Sequence, residues 1–364
     1  TDKMAYTTID DPSEYFQTAI WTGNASSRTI SFTGNADMQP DMVWSKKRAD
    51  AAQNHCITDT QRGVANIIFT DNADQESATQ LITSMASDGF AINNNALINE
   101  NSKTYVAWAW KANGGSSTGS AAESGDNPAY NHQANTTSGF SIITYTGTGA
   151  NGVIPHGIGV APKMVWSKGR NHGNNWRVGL AGTAIDFTDS IKLNENETAQ
   201  DNATYWQDTA PSSTNISVGS NDNINNDGNT SVIYAWAEIQ GFSKMGTYTG
   251  VGDGGDDGDG QYVWTGFTPA MVFIKRIDGA NGNWHIYDSI RSTFNQVDDA
   301  LQINTNNTEF VTSNKIDFLH NGFRLRGGNE ATTNNDGTTY LYAAWAKHPA
   351  VTSEGVPATA VAFV

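Results

Sequence analysis

Cysteine is almost missing from this chain of 364 residues. With Cys56 alone, no internal disulfide can form, so the fold must hold by core burial. Cations are also few: 21 Lys and Arg stand against 37 Asp and Glu, for a net charge of −16. Such a surface repels polyanions, and the longest basic cluster is Lys46-Lys47-Arg48, so neither nucleic acid nor an anionic membrane is expected as a partner. No apolar run approaches a membrane span, and residues 1–25 lack the apolar stretch of a secretory leader. No membrane insertion is expected, and any release would follow a route such as lysis. Catalytic signatures are missing too. There is no Gly-x-Ser-x-Gly, phosphate loop or His-Glu-x-x-His, and Cys56 has no nearby partner of the kind a thiol nucleophile needs. No enzyme is expected.

What the chain does have is Gly, Asn, Thr and Ser between short runs of Val, Ile, Thr, Tyr, Phe and Trp, an all-β composition. One sentence is written three times. NNDGTTYLYAAWAK (334–347) matches NNDGNTSVIYAWAE (225–238) without a gap, and NENSKTYVAWAWKA (99–112) falls into the same register. The unit extends backward. PDMVWSKKR (40–48), PKMVWSKGR (162–170) and PAMVFIKRI (269–277) each place a Lys six residues after a Pro: Lys46, Lys168 and Lys275. Pro at a strand entrance costs no ladder hydrogen bond. Ahead of these strands lie YFQTAIWTGN, GFSIITYTGT and GFSKMGTYTG.

The period is about 110–125 residues, too long for a propeller blade or solenoid repeat and long enough for a whole sandwich. The expected fold is therefore all-β, with three tandem antiparallel β-sandwich domains of jelly-roll or concanavalin-like type. Residues 1–14 form an N-terminal arm, 15–113 the first repeat and 114–137 a flexible Gly/Ser-rich linker. The second repeat covers 138–240, the third 241–347, and 348–364 form a C-terminal tail. The closing strands YVAWAW, VIYAWA and YLYAAWA are apolar on both faces, which predicts a central strand covered on both sides. Asn-Asp-Gly supplies the positive φ of the tight turn that launches it.

Chemistry-bearing groups are scattered. Asp59 and Asp288 align, each followed three residues on by Arg (Arg62, Arg291), while the second repeat has Leu180 there. This pattern reads more readily as a salt bridge steadying a turn than as a glycan-cleaving carboxylate pair, for which Glu238 is the further candidate. In GVGDGGDDGDGQ (250–261), Asp253, Asp256, Asp257 and Asp259 repel one another, and a hard cation such as Ca²⁺ would relieve that. An open acidic loop is the stronger reading, because the spacing is not that of an EF-hand. Trp21, Trp176, Trp206, Trp264 and Trp284 lie outside the closing strands; Trp206, lacking an equivalent in the other repeats, is the preferred surface aromatic for stacking on a sugar. Both ends carry apolar segments, Tyr6 to Phe16 and Val356 to Val364. Burial of Val356, Val361, Phe363 and Val364 against a neighbouring copy predicts a homo-oligomer, with a trimer the expected state.

Taken together, MAYTTIDDPSEYFQT, the P-x-M-V-[WF]-x-K strands, DGF/NGF and the closing TYVAWAWKANGG, IYAWAEIQGFSKMGTYTG and DGTTYLYAAWAKHP resemble repeat domains in tail-fibre-like virion proteins of marine bacteriophages. The resemblance covers nearly the whole chain. It implies a structural or adhesive virion component, folded in the host cytoplasm and released by lysis, with other virion proteins and host-surface glycans as partners. It carries no catalytic motif. A polysaccharide depolymerase and a purely structural glue between capsid or tail parts are the alternatives.

Overall fold

The computed structural model describes residues 5–49, 52–182, 184–252, 260–326 and 331–357. Its described part is nearly all β, every strand pairing antiparallel, with only one-turn helices between. Each repeat builds its main sheet in the same way. The closing strands Thr104–Trp110, Thr230–Trp236 and Thr339–Pro349 lie centrally, as predicted. On one side runs the leading strand of the same repeat: Phe16–Thr22, Phe140–Thr146 or Ser243–Thr249. On the other runs the Pro-entered strand: Met42–Lys47, Met164–Gly169 or Phe267–Arg276. Register is shared as well, since Trp110, Trp236 and Trp345 stand opposite Met42, Met164 and Met271.

The turn before the closing strand works as its sequence implies. Gly228 and Gly337 take φ of +69° and +68°, and Ser102, in the same place of the first repeat, is held at +62°. The Asn three residues earlier is fully buried in all three copies, at Asn99, Asn225 and Asn334. Its side chain accepts a backbone N–H from the loop after the leading strand, at Asn24, Thr148 and Val251 respectively. This Asn therefore clamps two loops together, and its recurrence has a packing cause.

Alternation along the closing strand divides the core. Tyr105, Ala107 and Ala109 point into a cluster enclosed with the three-stranded sheet Arg28–Ile30, Gly89–Ile92 and Ile82–Ala86. In the second repeat Ile233 and Ala235 do the same, against the two-stranded sheet Gly152–Pro155 and Asn215–Val218. The opposite faces (Val106, Trp108, Trp110; Val232, Tyr234, Trp236) enter one cluster with residues of the third repeat. Trp110, Trp236 and Trp345 form a triangle with ring centroids 5.2–6.0 Å apart, one ring from each repeat. Next to it Trp166 meets Trp44 and Phe273, both at 5.7 Å. The three repeats thus pack about a common pseudo-threefold axis, and their largest core is shared between them. In the third repeat the outer strands are continuous with the main sheet, giving one eight-stranded sheet that curls from Ser243–Thr249 round to Tyr262–Trp264.

Two expectations need correction. The stretch 114–137 is not a slack linker. It supplies the strands Gly119–Ala121 and Ala129–Asn135, the latter paired along its whole length with Phe140–Thr146. Gly and Ser dominate its composition, but the alternation of Tyr130, His132 and Ala134 is strand-like, and His132 and Gln133 are buried. The N-terminal segment also finds cover within its own chain. Ile9 lies in the shared core, the Tyr6 hydroxyl donates to the Gly266 carbonyl at 3.0 Å, and the Thr7 hydroxyl donates to that of Gln240 at 2.8 Å. The C-terminal candidates fare differently: Val356 is exposed, while Val361, Phe363 and Val364 lie outside the described residues.

Because the core is shared, unfolding in urea followed by tryptophan fluorescence should give one cooperative transition, without a separate step for each repeat. Trp236→Ala should cost about 3–5 kcal/mol, the range for emptying a buried aromatic site, and should shift circular dichroism and fluorescence midpoints together.

Candidate functional site

The repeated polar residues lie where one repeat meets the next. Lys46, Lys168 and Lys275 are all buried, and each reaches a carbonyl of a neighbouring repeat: Asn306 at 3.0 Å, Ala73 at 3.3 Å and Asn196 at 3.3 Å. A second ring of bonds runs beside them. His55, Trp176 and Trp284 occupy one repeat position and bond through a ring nitrogen to the carbonyls of Gln302 (3.1 Å), Phe69 (2.7 Å) and Lys192 (3.0 Å). In both rings the first repeat reaches the third, the second the first, and the third the second. That cyclic order is what a pseudo-threefold axis requires.

The paired Asp and Arg residues are salt bridges at these seams. Asp59–Arg62 and Asp288–Arg291 each close at 2.5 Å with fully buried side chains. Arg62 continues to Glu76 at 2.8 Å, which holds Arg170 of the second repeat at 2.8 Å, while the Tyr234 hydroxyl donates to Asp59. Arg291 continues to Glu309 at 2.9 Å, which holds Arg48 of the first repeat at 2.6 Å, and Trp108 Nε1 donates to Asp288 at 3.0 Å. Burial disfavours a charged Glu76, but hydrogen bonds and charge from Arg170 and Arg62 outweigh it and hold its carboxyl below the usual range. At the third seam the same positions read Leu180, Ala199, Ile277 and Ala343. Ion networks lock two seams and apolar packing the third. Backbone bonding is common to all three: the N–H groups of Glu76, Glu309 and Ala199 donate to the carbonyls of Arg170, Arg48 and Ile277.

These contacts account for the carboxylates considered for glycan cleavage. Asp59 and Asp288 face their own arginines inside the body, and Glu238 binds Lys244 and the Met245 N–H. Cys56 is buried too, which pushes its thiol up, away from the nucleophilic thiolate. Asp253, Asp256, Asp257 and Asp259 lie outside the described residues. Among the described residues no group of three or more His, Cys, Asp or Glu could hold a metal, and no helix is long and apolar enough to cross a membrane.

Trp206 is not a surface aromatic. The short helix Ala203–Trp206 turns its ring inward, where it packs edge-on against Phe187 at 5.4 Å, and none of it reaches solvent. The exposed tryptophan is Trp264, at 51%. Strand Tyr262–Trp264 lies at the end of the curled sheet, and alternation buries Val263 while turning Tyr262 and Trp264 outward together, about 7 Å apart along the strand. Their cross-strand partners are Arg324 and Gly322. Gly322 admits no side chain, since a Cβ there would fall 2.2 Å from the Val263 carbonyl, so one flank of the indole stays open. Tyr262 is steadied by donating to Asn321 Oδ1 at 2.8 Å. The result is a ledge of two aromatic faces fringed by an amide and a guanidinium. Trp264 was legible as a tryptophan outside the closing strands; its solvent-facing register was not.

The chain is thus an all-β body of three repeats, with repeated polar residues on its internal seams and an aromatic ledge outside. Residues 11–349 match the model of a domain of unknown function, DUF7483, and the chain belongs to that family. The match spans all three repeats as one unit. No curated protein and no solved structure matches the chain.

Two outcomes are expected at the seams. Arg62→Met should cost about 3–5 kcal/mol in urea unfolding, by leaving buried carboxylates without their cation. Combining it with Asp59→Leu, Glu76→Ala and Arg170→Ile, which imitates the apolar seam, should recover most of that loss. The second concerns pH. Burial lowers Lys46 and Lys168 to about 8 and Lys275 to about 7. Between those values and the unfolded 10.5, the unfolded chain binds more protons than the folded one, so stability rises with pH. From pH 7 to 9 the urea midpoint should increase, and Lys275→Met should flatten that slope by up to about 1.4 kcal/mol per pH unit.

Proposed function

We propose that this chain is a non-catalytic structural component of a bacteriophage particle, a fibre, spike or decoration protein, that presents the Tyr262–Trp264 ledge to glycans of the host surface. One observation carries the adhesive part. Ten of the eleven tryptophans are buried, whereas Trp264 is half exposed on an end strand. Exposing an aromatic of this size forfeits several kcal/mol of burial, which is best understood where a partner covers it. Indole and phenol faces stack on the C–H faces of sugar rings, and Asn321 and Arg324 supply donors at the rim. The sequence resemblance to tail-fibre-like virion proteins supports the particle assignment, as does a disulfide-free body with a shared core. Further copies or other virion proteins would join through the C-terminal segment that begins with exposed Val356.

The test has two arms. Mass spectrometry of purified particles should find the chain at structural stoichiometry, and its absence would remove the virion reading. Fluorescently labelled protein should bind host cells, and Trp264→Ala should weaken that binding by about tenfold or more with an unchanged urea midpoint. Undiminished cell binding by Trp264→Ala would remove the ledge from the mechanism.

A further inference from the structure

A cleft of about 240 Å³ opens at the seam between the first and third repeats, close to the low end of small-molecule pockets at about 300–1,000 Å³. Its floor is apolar, with Phe16 and Ile290, and its rim carries Asp11 and Lys347. Two buried hydroxyls, Thr18 Oγ1 and Ser289 Oγ, line it without a hydrogen-bond partner. Buried hydroxyls without partners are costly, so this pair asks for an occupant.

The molecule shows what fills the same place at its other seams. Thr60 and Ser289 are equivalent, each following the repeat aspartate. At the seam of the first and second repeats, the Thr60 hydroxyl faces two acceptors, Asp41 Oδ1 at 2.9 Å and the side-chain carbonyl oxygen of Gln133 at 3.1 Å. That amide in turn donates to Gln61 at 3.0 Å, and Gln61 donates to the Asn131 carbonyl at 3.2 Å and to the Thr144 hydroxyl at 3.1 Å. Gln133 comes from the strand Ala129–Asn135, which lies beside the leading strand of the second repeat. At the seam of the second and third repeats, the positions of Gln17 and Lys347 are taken by Lys244 and Glu238, which form an ion pair at 3.2 Å. Beside Phe16–Thr22, the leading strand of the first repeat, no strand takes the place of Ala129–Asn135 among the described residues, and the space stays open.

We propose that this cleft is a binding site for a single N-acetylhexosamine residue. At the equivalent seam this hydroxyl faces the Asp41 carboxylate and the Gln133 carboxamide; Ala270 stands in the place of Asp41 here, and no residue stands in the place of Gln133 among the described residues. The acetamido carbonyl would accept from Ser289 and Thr18 as Gln133 accepts from Thr60, its methyl would lie on Phe16 and Ile290, and ring hydroxyls would meet Asp11 and Lys347. The site is separate from the aromatic ledge and does not depend on it.

The test is titration of the full chain with N-acetylglucosamine, N-acetylgalactosamine, glucose and acetamide, read by calorimetry and by methyl NMR of Thr18 and Ala346. At least one N-acetylhexosamine should bind saturably, roughly tenfold tighter than glucose, and shift both methyl signals. Thr18→Val and Ser289→Ala should each weaken binding by roughly fivefold, while Trp264→Ala leaves the ligand-induced shifts of the Thr18 and Ala346 methyl signals in place. Three results would overturn the proposal: glucose binding equally well, wild-type methyl signals that do not move because water alone fills the cleft, or Thr18 and Ala346 shifts abolished by Trp264→Ala. The wild-type NMR arm decides the matter even where a variant fails to fold.

Discussion

The structure depends on a strand that is apolar on both faces. In Thr104–Trp110 and its two counterparts, one set of alternate residues fills the repeat's own interior and the other must be covered from outside. Three such strands meeting on an axis cover one another, and the triangle of Trp110, Trp236 and Trp345 is the centre of that contact. A buried indole removes about 150–250 Å² from water, about 4–6 kcal/mol at the usual coefficient as an upper estimate. No repeat could leave this face in solvent without losing that term several times over. Closure of the three repeats on one another follows from the strand sequence itself.

Much of this was legible beforehand and some was not, for identifiable reasons. The unit, its central strand, its turn chemistry and its two apolar faces are local properties, written in period-two alternation and Asn-Asp-Gly. What covers the outer face is a non-local fact, so the strand pattern predicts a covering layer without naming it. The seam lysines show the same limit. Their spacing from Pro was visible, but a surface residue type in a strand gives no sign of burial unless its recurrence in every copy is taken as one. Trp206 failed through a false inference, that a residue without an equivalent lies outside. Unique residues also fill the idiosyncratic corners of a repeat, as its contact with Phe187 demonstrates.

The seams show two solutions to one packing problem. Where Asp59, Glu76 and Arg170 or their counterparts meet, buried charges are fully paired and bridge neighbouring repeats. Where Leu180, Ala199 and Ile277 meet, the same backbone contact is made without charge. Buried ion pairs rarely exceed well-packed apolar groups in stability, so the difference is better understood as register. Ionic seams cannot mate with an apolar one without stranding charge. The first repeat must therefore sit between the second and third in one order only, which three near-identical apolar faces would leave undetermined.

This asymmetry bears on where function can reside. Groups repeated in all three copies are already engaged inside the body: the lysines and the seam ring nitrogens bond to neighbouring repeats, and the buried asparagines clamp two loops of their own repeat. Among the described residues, the ledge and the cleft both lie where the pseudo-symmetry fails. The ledge arises because the third repeat's outer strands continue its main sheet and end on Tyr262–Trp264. The cleft arises because the first repeat has no counterpart of Ala129–Asn135 to fill it. In a body assembled from copies of one unit, symmetric positions make the scaffold, and departures from symmetry are what remain to meet the outside.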